Sequence, residues 1–154
     1  MAGFLGEYEV AMDAKGRFLM PSGFRKQLPE DGELRFVLNR GTDKCLNLYT
    51  TAEWDRLTHK LSRLNDFNPK VQLLKRLMLN GASFAELDSA GRILVPRTLQ
   101  AFADLKKDLV FSANINKVEI WDKDTYYNHL KAHSGDLGSL SAEVFGNDFM
   151  DPFQ

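Results

Sequence analysis

The chain has 154 residues, a formal net charge of -1, 44% hydrophobic residues and a single cysteine. This length suits one compact domain or two small interleaved ones, and the apolar content excludes global disorder. One cysteine excludes an intrachain disulfide framework and a cysteine zinc site, so Cys45 is expected to be a buried thiol in a reducing compartment. No apolar run is long enough to span a membrane, and residues 1–6 lack a signal-peptide pattern, so we expect a cytoplasmic protein.

Positive and negative charges are unevenly distributed along the chain. Residues 1–81 contain 13 Lys and Arg against 10 Asp and Glu, whereas residues 82–154 contain 7 against 11. From Ser134 onward there are four acidic residues and no Lys or Arg. An acidic tail therefore masks a mildly basic body, which permits binding to nucleic acid without requiring it.

The first predicted elements are strands. Residues 7–12 alternate apolar and polar side chains, which predicts a strand. Another strand is expected at residues 17–20, after a tight turn in which Asp13 accepts backbone hydrogen bonds and Gly16 takes a positive φ. Short helical turns and a second strand pair follow at residues 21–28, 34–38 and 45–49.

Two helices are predicted next. Thr50-x-x-Glu53 has the pattern of a capping box, and an apolar stripe follows it at helical spacing. Asn68-Pro69 has the residues that cap and begin a second helix, which the pair Asn80-Gly81 would end.

The second half of the chain repeats the first. Asp13–Pro21 reads Asp-Ala-Lys-Gly-Arg-Phe-Leu-Met-Pro, and Asp88–Pro96 reads Asp-Ser-Ala-Gly-Arg-Ile-Leu-Val-Pro, 75 residues later. We therefore predict two copies of one structural unit. The expected organisation is repeat 1 at 7–54, a helical linker at 55–81, repeat 2 at 82–126, and a helix end with an acidic tail at 127–154. The tail, with Phe145, Phe149 and Phe153, is expected to be loosely ordered unless those rings dock.

Two Asp-x-x-x-Arg turns, each followed by an apolar strand and Pro, make the chain similar to the MraZ family over residues 4–133. The resemblance implies a mainly β fold with flanking helices (α+β), namely a swapped-hairpin, AbrB-like double-split β-barrel built from the two internal repeats. It also implies a nucleoid-associated transcriptional regulator that assembles into a ring-like homo-oligomer. Such regulators bind direct repeats in double-stranded promoter DNA upstream of the division and cell-wall gene cluster.

The resemblance also assigns residues. Its turns present the DNA-binding side chains, which correspond here to Asp13, Lys15 and Arg17 and to Asp88 and Arg92. Related AbrB domains add basic residues, which correspond to Arg25 and Lys26. The second copy has Ala90, Gln100 and Ala101 where the first has Lys15, Arg25 and Lys26. The first copy is therefore expected to contribute more to DNA binding.

Structural roles are the alternative for the same residues. For Asp13 and Asp88 a turn-stabilising role is favoured, because a carboxylate repels phosphate, and Gly16 and Gly91 are assigned to the turns as well. For the arginines we favour DNA contact, since a guanidinium matches phosphate and guanine edges bidentately. Solvated surface is as good an interpretation as DNA contact for two further cations, Arg40 and Lys44.

An enzyme is not expected. His129 and His133 have the spacing of helical metal ligands, but no third ligand accompanies them, and surface histidines are the favoured interpretation. The sequence has no Gly-rich phosphate loop and no nucleophile elbow, and neither catalytic residues nor a cofactor is predicted. The alternative function is a partner-binding or assembly module on the same fold without direct DNA readout.

Overall fold

Strands from the two repeats are interleaved in one sheet. The structure is a computed structural model, and it describes residues 3–30, 32 and 34–146. The elements of the first repeat and the linker are β1 (Phe4–Ala11), β2 (Arg17–Leu19), α1 (Ser22–Arg25), β3 (Arg35–Arg40), β4 (Leu46–Thr50), α2 (Thr51–Ser62) and α3 (Pro69–Leu79). The remaining elements are β5 (Ser83–Glu86), β6 (Arg92–Leu94), α4 (Arg97–Phe102), β7 (Asp108–Ile115), β8 (Lys117–Asp122), α5 (Lys123–Ala132) and α6 (Leu137–Phe145).

The large sheet has six antiparallel strands in the order β1-β7-β8-β4-β3-β5. The first strand of each repeat pairs with the other repeat, β1 with β7 and β5 with β3. If every strand is replaced by its counterpart in the other repeat, the result is the same order read from the opposite edge of the sheet. The sheet therefore has internal twofold pseudosymmetry. The α+β class is confirmed, and the exchanged first strands agree with the swapped arrangement that the resemblance implied.

A separate two-stranded ribbon joins β2 to β6. Its register pairs Arg17 with Leu94, Phe18 with Ile93, and Leu19 with Arg92. Phe18 and Ile93 occupy equivalent positions in the two repeats, so the pseudotwofold axis passes through this central pair. The strands before and after the first turn share only an isolated bridge, between Met12 and Phe18, because their main partners belong to the other repeat.

The core lies between the ribbon and the large sheet and uses equivalent residues from both repeats. Phe24 and Leu99 are fully buried, as are Phe36 and Phe111. The Phe111 ring contacts the rings of Phe18 and Phe24 edge to face, with centroids 6.0 and 5.1 Å apart. Such contacts add to the hydrophobic gain of burial, so both repeats contribute to a single core.

The helix caps form as their sequences predict. Thr50 Oγ1 accepts a hydrogen bond from the Glu53 amide at 3.3 Å at the start of α2, and Asn68 Oδ1 accepts one from the Lys70 amide at 2.9 Å at the start of α3. These bonds satisfy backbone donors that have no partner within the helix.

The described residues form two compact units that divide after Lys123. In the second unit, residues 137–145 form α6, within the tail that was expected to be loosely ordered unless its phenylalanine rings dock. Its apolar side chains Leu137, Leu140 and Val144 recur at helical spacing, which explains the helix. The other two tail rings, Phe149 and Phe153, lie outside the described residues. No helix within the described part of the chain combines the length and apolarity needed to cross a bilayer.

The shared core gives the first prediction. Phe111→Ala should lower the free energy of unfolding by about 3–5 kcal/mol, because it removes a fully buried ring that contacts side chains of the other repeat. Urea denaturation of the full chain measures the change. Leu5→Ala is the control, since Leu5 is 78% exposed and its truncation should cost less than about 0.5 kcal/mol. A loss below about 1 kcal/mol for Phe111→Ala would contradict the shared core.

Candidate nucleic-acid interface

The ribbon brings the two Asp-x-x-x-Arg turns together. Its pairing continues into both turns, because the Met20 amide donates to the Gly91 carbonyl at 3.0 Å and the Val95 amide donates to the Gly16 carbonyl at 2.8 Å. Both glycines have a φ of +82°, a backbone conformation that favours glycine over other residues. Two sequence segments separated by 75 residues thus form one continuous surface.

Each turn is stabilised by its own aspartate. In the first turn, Asp13 Oδ1 accepts hydrogen bonds from the amides of Lys15 and Arg17, both at 2.9 Å. Asp13 Oδ2 accepts a further bond from Arg17 Nε at 2.9 Å. The carboxylate therefore fixes both the backbone of the turn and the stem of the guanidinium.

The second turn repeats these contacts. Asp88 Oδ1 accepts bonds from the amides of Ala90 at 2.9 Å and Arg92 at 2.8 Å, and Oδ2 accepts one from Arg92 Nε at 3.0 Å. The turns also meet each other, since Arg92 Nη1 lies 4.0 Å from Asp13 Oδ2. The arginine side chains are half-buried, with 28% of Arg17 and 35% of Arg92 exposed.

Both aspartates are held in their charged form. The hydrogen bond from the Arg17 amide is the largest effect on Asp13, and it holds the pKa of that carboxyl below its usual value of 3.8. The Arg92 amide lowers the pKa of Asp88 in the same way. A carboxylate that accepts several N–H bonds is stabilised relative to its protonated form. Charged carboxylates in turn hold the arginine Nε groups.

The arginines have donors to spare. Each uses Nε for its aspartate, while a guanidinium has four further N–H groups on its two Nη atoms. Those groups form the planar pair that binds carboxylate, phosphate or guanine bidentately. Turn stabilisation and ligand binding are therefore compatible in one side chain.

Arg25 belongs to the second turn rather than the first. Its Nη1 lies 3.1 Å from the position that a Cβ on Gly91 would occupy, so the first repeat supplies a cation to the turn of the second. The corresponding residue Gln100 lies beside Gly16 and donates to the Val95 carbonyl at 2.8 Å. From the sequence, Arg25 was assigned to the first copy, because no sequence pattern shows that α1 reaches across the ribbon to the second turn.

Three further cations, each next to the ribbon strands or to α1 or α4 along the chain, are exposed. Lys15 lies in the first turn and Lys26 directly follows α1. Arg97, the first residue of α4, was not proposed from the sequence. Its position directly after Pro96, which ends the second repeated motif, could have indicated it as a candidate. At the two turns themselves, Lys15, Arg17, Arg25 and Arg92 outnumber the carboxylates of Asp13 and Asp88.

Arg40 and Lys44 have structural partners. Arg40 Nη2 donates to Asn80 Oδ1 at 2.9 Å, and its guanidinium lies 4.7 Å from the centre of the Phe102 ring. Lys44 Nζ lies 3.6 Å from Asp104 Oδ2. For Arg40 these contacts join β3 to the ends of α3 and α4, so a structural role accounts for it.

Neither the histidine pair nor the cysteine forms a metal site or a reactive thiol within the described residues. His129 and His133 have ring centroids 5.1 Å apart, and His133 Nδ1 contacts Asp136 Oδ2 at 2.8 Å. Within the described residues, no group of three His, Cys, Asp or Glu is arranged to hold a metal ion. Cys45 is buried, and burial raises the pKa of its thiol to about 12, which keeps it protonated at neutral pH.

Comparison with known proteins covers nearly the whole chain. The family model described as "MraZ protein, putative antitoxin-like" matches twice, at residues 3–77 and 78–146. The chain belongs to the MraZ family. It is 41% identical to a transcriptional regulator MraZ of Christiangramia forsetii over 98% of both chains. Two further relatives of that name, from Flavobacterium psychrophilum and Cytophaga hutchinsonii, are 40% and 37% identical and cover 93% and 92% of this chain. The chain spans 92% and 93% of those two proteins. Their name describes a non-enzymatic role, as the sequence predicts.

The carboxylate contacts give the second prediction. Asp13→Asn and Asp88→Asn should each lower the free energy of unfolding at neutral pH, because an amide still accepts backbone bonds but no longer carries the charge that holds Arg Nε. A lowered folded-state pKa stabilises the protein fully above the usual aspartate pKa of 3.8, and this contribution is lost as the pH falls through the lowered value. The difference from wild type should therefore shrink at acid pH.

Denaturant unfolding of wild type and both variants from pH about 7 to about 3 measures this dependence. Asp55→Asn, on the exposed surface of α2, is the matched control and should show no comparable loss at neutral pH. Variants as stable as wild type at neutral pH would show that the carboxylate charge does not stabilise the turns.

Proposed function

We propose that the protein is a sequence-specific, DNA-binding transcriptional regulator that binds direct repeats in promoter DNA as a homo-oligomer. The observation that supports this most directly is the cross-repeat ribbon, on which two carboxylate-held arginines lie at diagonal positions, with Lys15 in the first turn and Arg25 beside the second. The shared family and the name of the relatives support the regulatory role.

The charges of the ribbon suit duplex DNA. Lys15, Arg17, Arg25, Lys26 and Arg92 are the residues we assign to DNA contact, and Asp13 and Asp88 are the carboxylates that offset them. Phosphate contacts by such cations release counterions, so binding should weaken steeply as salt rises. A two-stranded ribbon fits the major groove, where a guanidinium can donate two bonds to a guanine edge.

Several ribbons are needed for tight binding. A protein with a net charge of -1 gains little from one ribbon, but linked ribbons on spaced DNA repeats act together through a high effective concentration. We propose that the chain assembles into a ring-like homo-oligomer, in which each protomer contacts one DNA repeat. The proposed targets are the promoter of the gene for this chain and the division and cell-wall gene cluster. The proposed location is the nucleoid.

The linker supplies an apolar surface for assembly. None of the side chains of α3 is buried, and Leu73, Leu74 and Leu77 are all exposed. Phe67, just before this helix, is 92% exposed. Contiguous apolar side chains of this kind are typical of contact surfaces between proteins, and a second copy of the chain is the proposed occupant.

The third prediction concerns the two turns. The sequence alone predicts a larger role for the first copy, but Arg25 lies beside Gly91 in the second turn while Lys15 lies in the first, so each turn has a further cation next to its own arginine. Arg17→Ala and Arg92→Ala should therefore weaken DNA binding to a comparable extent. Removal of one phosphate contact should lower the salt slope by roughly 0.9, and removal of one base contact should cost about 1–3 kcal/mol.

Fluorescence anisotropy at two salt concentrations tests this, with duplex DNA from the region upstream of the gene for this chain. Arg63→Ala, at the exposed end of α2, is the control, and light scattering and denaturation check assembly and folding. Arg25→Ala should couple to Arg92→Ala and be additive with Arg17→Ala. No salt-sensitive DNA binding by wild type, together with a stable co-purifying protein, would support the partner-binding module instead.

The fourth prediction concerns assembly. Wild type should elute as a closed oligomer, and Leu74→Asp should dissociate it, because a carboxylate on this face would be buried without a partner at the contact. Size-exclusion chromatography with light scattering at micromolar concentration measures the mass. Leu137→Asp, on exposed α6, is the control. A monomeric wild type, or a variant that keeps the wild-type mass, would contradict the assignment of this face.

A further inference from the structure

Phosphate and guanine contacts leave two side chains of the ribbon unexplained. Leu19 and Leu94 occupy equivalent positions in the two repeats and are 59% and 55% exposed, while their strand neighbours Phe18 and Ile93 are buried. Side chains alternate between the faces of a strand, so the leucines share the outer face with Arg17 and Arg92.

The strand register places an apolar side chain opposite a charged one on that face. Leu19 is directly opposite Arg92, and Leu94 is directly opposite Arg17. Cross-strand neighbours of this kind have Cβ atoms about 4.5–5.5 Å apart. That spacing corresponds to between one and two of the steps of about 3.4 Å that separate successive bases, so each leucine can reach a base neighbouring the one that its opposite arginine contacts.

We propose that Leu19 and Leu94 contact the C5-methyl groups of thymines in the major groove, and so determine part of the sequence specificity of the protein. This inference rests on the proposed function. In the major groove thymine displays a methyl group beside its O4 acceptor, whereas the hydrogen-bonding groups of the other three bases are not accompanied by a methyl group. An exposed leucine gains by covering that methyl group and gains nothing from a phosphate.

The surrounding charges favour DNA over a protein occupant. An apolar protein surface seated on the leucines would also cover Arg17 and Arg92, whose guanidinium groups would lose water without gaining new acceptors. A DNA groove offers methyl groups to the leucines, together with guanine and phosphate oxygens to the arginines. The nearby Arg25, whose Nη1 approaches Gly91, adds to the preference for a polyanion.

The symmetry of the ribbon predicts where the contacted thymines lie in the duplex. In an antiparallel pair the axis relating the strands is perpendicular to the sheet, and here it passes through the Phe18–Ile93 pair. A ribbon that enters the groove with this axis toward the duplex is aligned with a local dyad of the DNA. Leu19 and Leu94 then meet thymines on opposite strands, at positions related by that dyad.

Base analogues test the inference without changing the protein. Duplex DNA from the region upstream of the gene is prepared with thymine, with uracil, which lacks the methyl group, or with 5-bromouracil, whose bromine has about the size of that group. Wild-type affinity should fall about threefold or more for each contacted methyl group on the uracil duplex, and 5-bromouracil should restore it.

The leucine variants link the effect to the ribbon. The double variant Leu19→Ala/Leu94→Ala should bind the thymine duplex about as weakly as wild type binds the uracil duplex, and should not distinguish the three DNAs. Leu5→Ala, an exposed strand leucine of the large sheet, should discriminate as wild type does. Single uracil substitutions should then locate the sensitive thymines, symmetrically on the two strands.

Two outcomes would overturn this inference alone. Equal wild-type affinity for the thymine and uracil duplexes would exclude methyl contacts, as expected for a protein that reads the minor groove or only phosphates. A double variant that still discriminates like wild type would assign the methyl contacts to other residues. Failure of wild type to bind the thymine duplex at all would overturn the proposed function, and this inference with it.

Discussion

The backbone hydrogen bonds between β2 and β6 join the fold of this protein to its candidate site. The two outermost bonds, Met20 to Gly91 and Val95 to Gly16, use the carbonyl groups of the turn glycines themselves. The ribbon and the turns therefore depend on the same residues, and neither repeat has the complete surface on its own. Pairing of Phe18 with Ile93 buries both side chains in the shared core, so the interaction that stabilises the fold also sets the spacing of the two arginines.

The guanidinium of each turn arginine has two kinds of donor with different roles, Nε and the two Nη groups. Nε is held by a carboxylate that stays charged because three N–H groups donate to it, and the Nη groups are the ones that we propose contact DNA. Long side chains lose rotamer freedom when they bind, and an arginine already fixed at Nε loses less of it. Asp13 and Asp88 weaken the local positive charge, but they also orient the arginines. This arrangement favours a defined geometry over raw electrostatic attraction, as expected for a protein with almost no net charge.

The sequence predicted the secondary-structure elements well, but it did not predict which strands pair with each other. The 75-residue repeat, the caps at Thr50 and Asn68 and the turns at Asp13 and Asp88 depend on local chemistry, and local patterns indicate them directly. Which strand pairs with which is not encoded in the alternation of a single strand, since the same periodicity fits a local hairpin or an exchanged one. The exchanged strands were available only through the family resemblance. The reach of Arg25 toward Gly91 could not be predicted, because it depends on that exchange.

The same exchange changes the meaning of the differences between the repeats. In the sequence, Lys15 and Arg25 both belong to the first copy, and Ala90 and Gln100 replace them in the second. In the structure, Lys15 stays in the first turn, whereas Arg25 lies at the second, and Gln100 takes its place beside Gly16 and bonds to the Val95 carbonyl. Each turn thus has one arginine of its own and one additional cation, supplied by different routes. Two copies that diverged in sequence thus keep Arg17 and Lys15 at one turn and Arg92 and Arg25 at the other, related by the Phe18–Ile93 axis, and this arrangement suits the proposed contacts with a DNA duplex that has a local dyad.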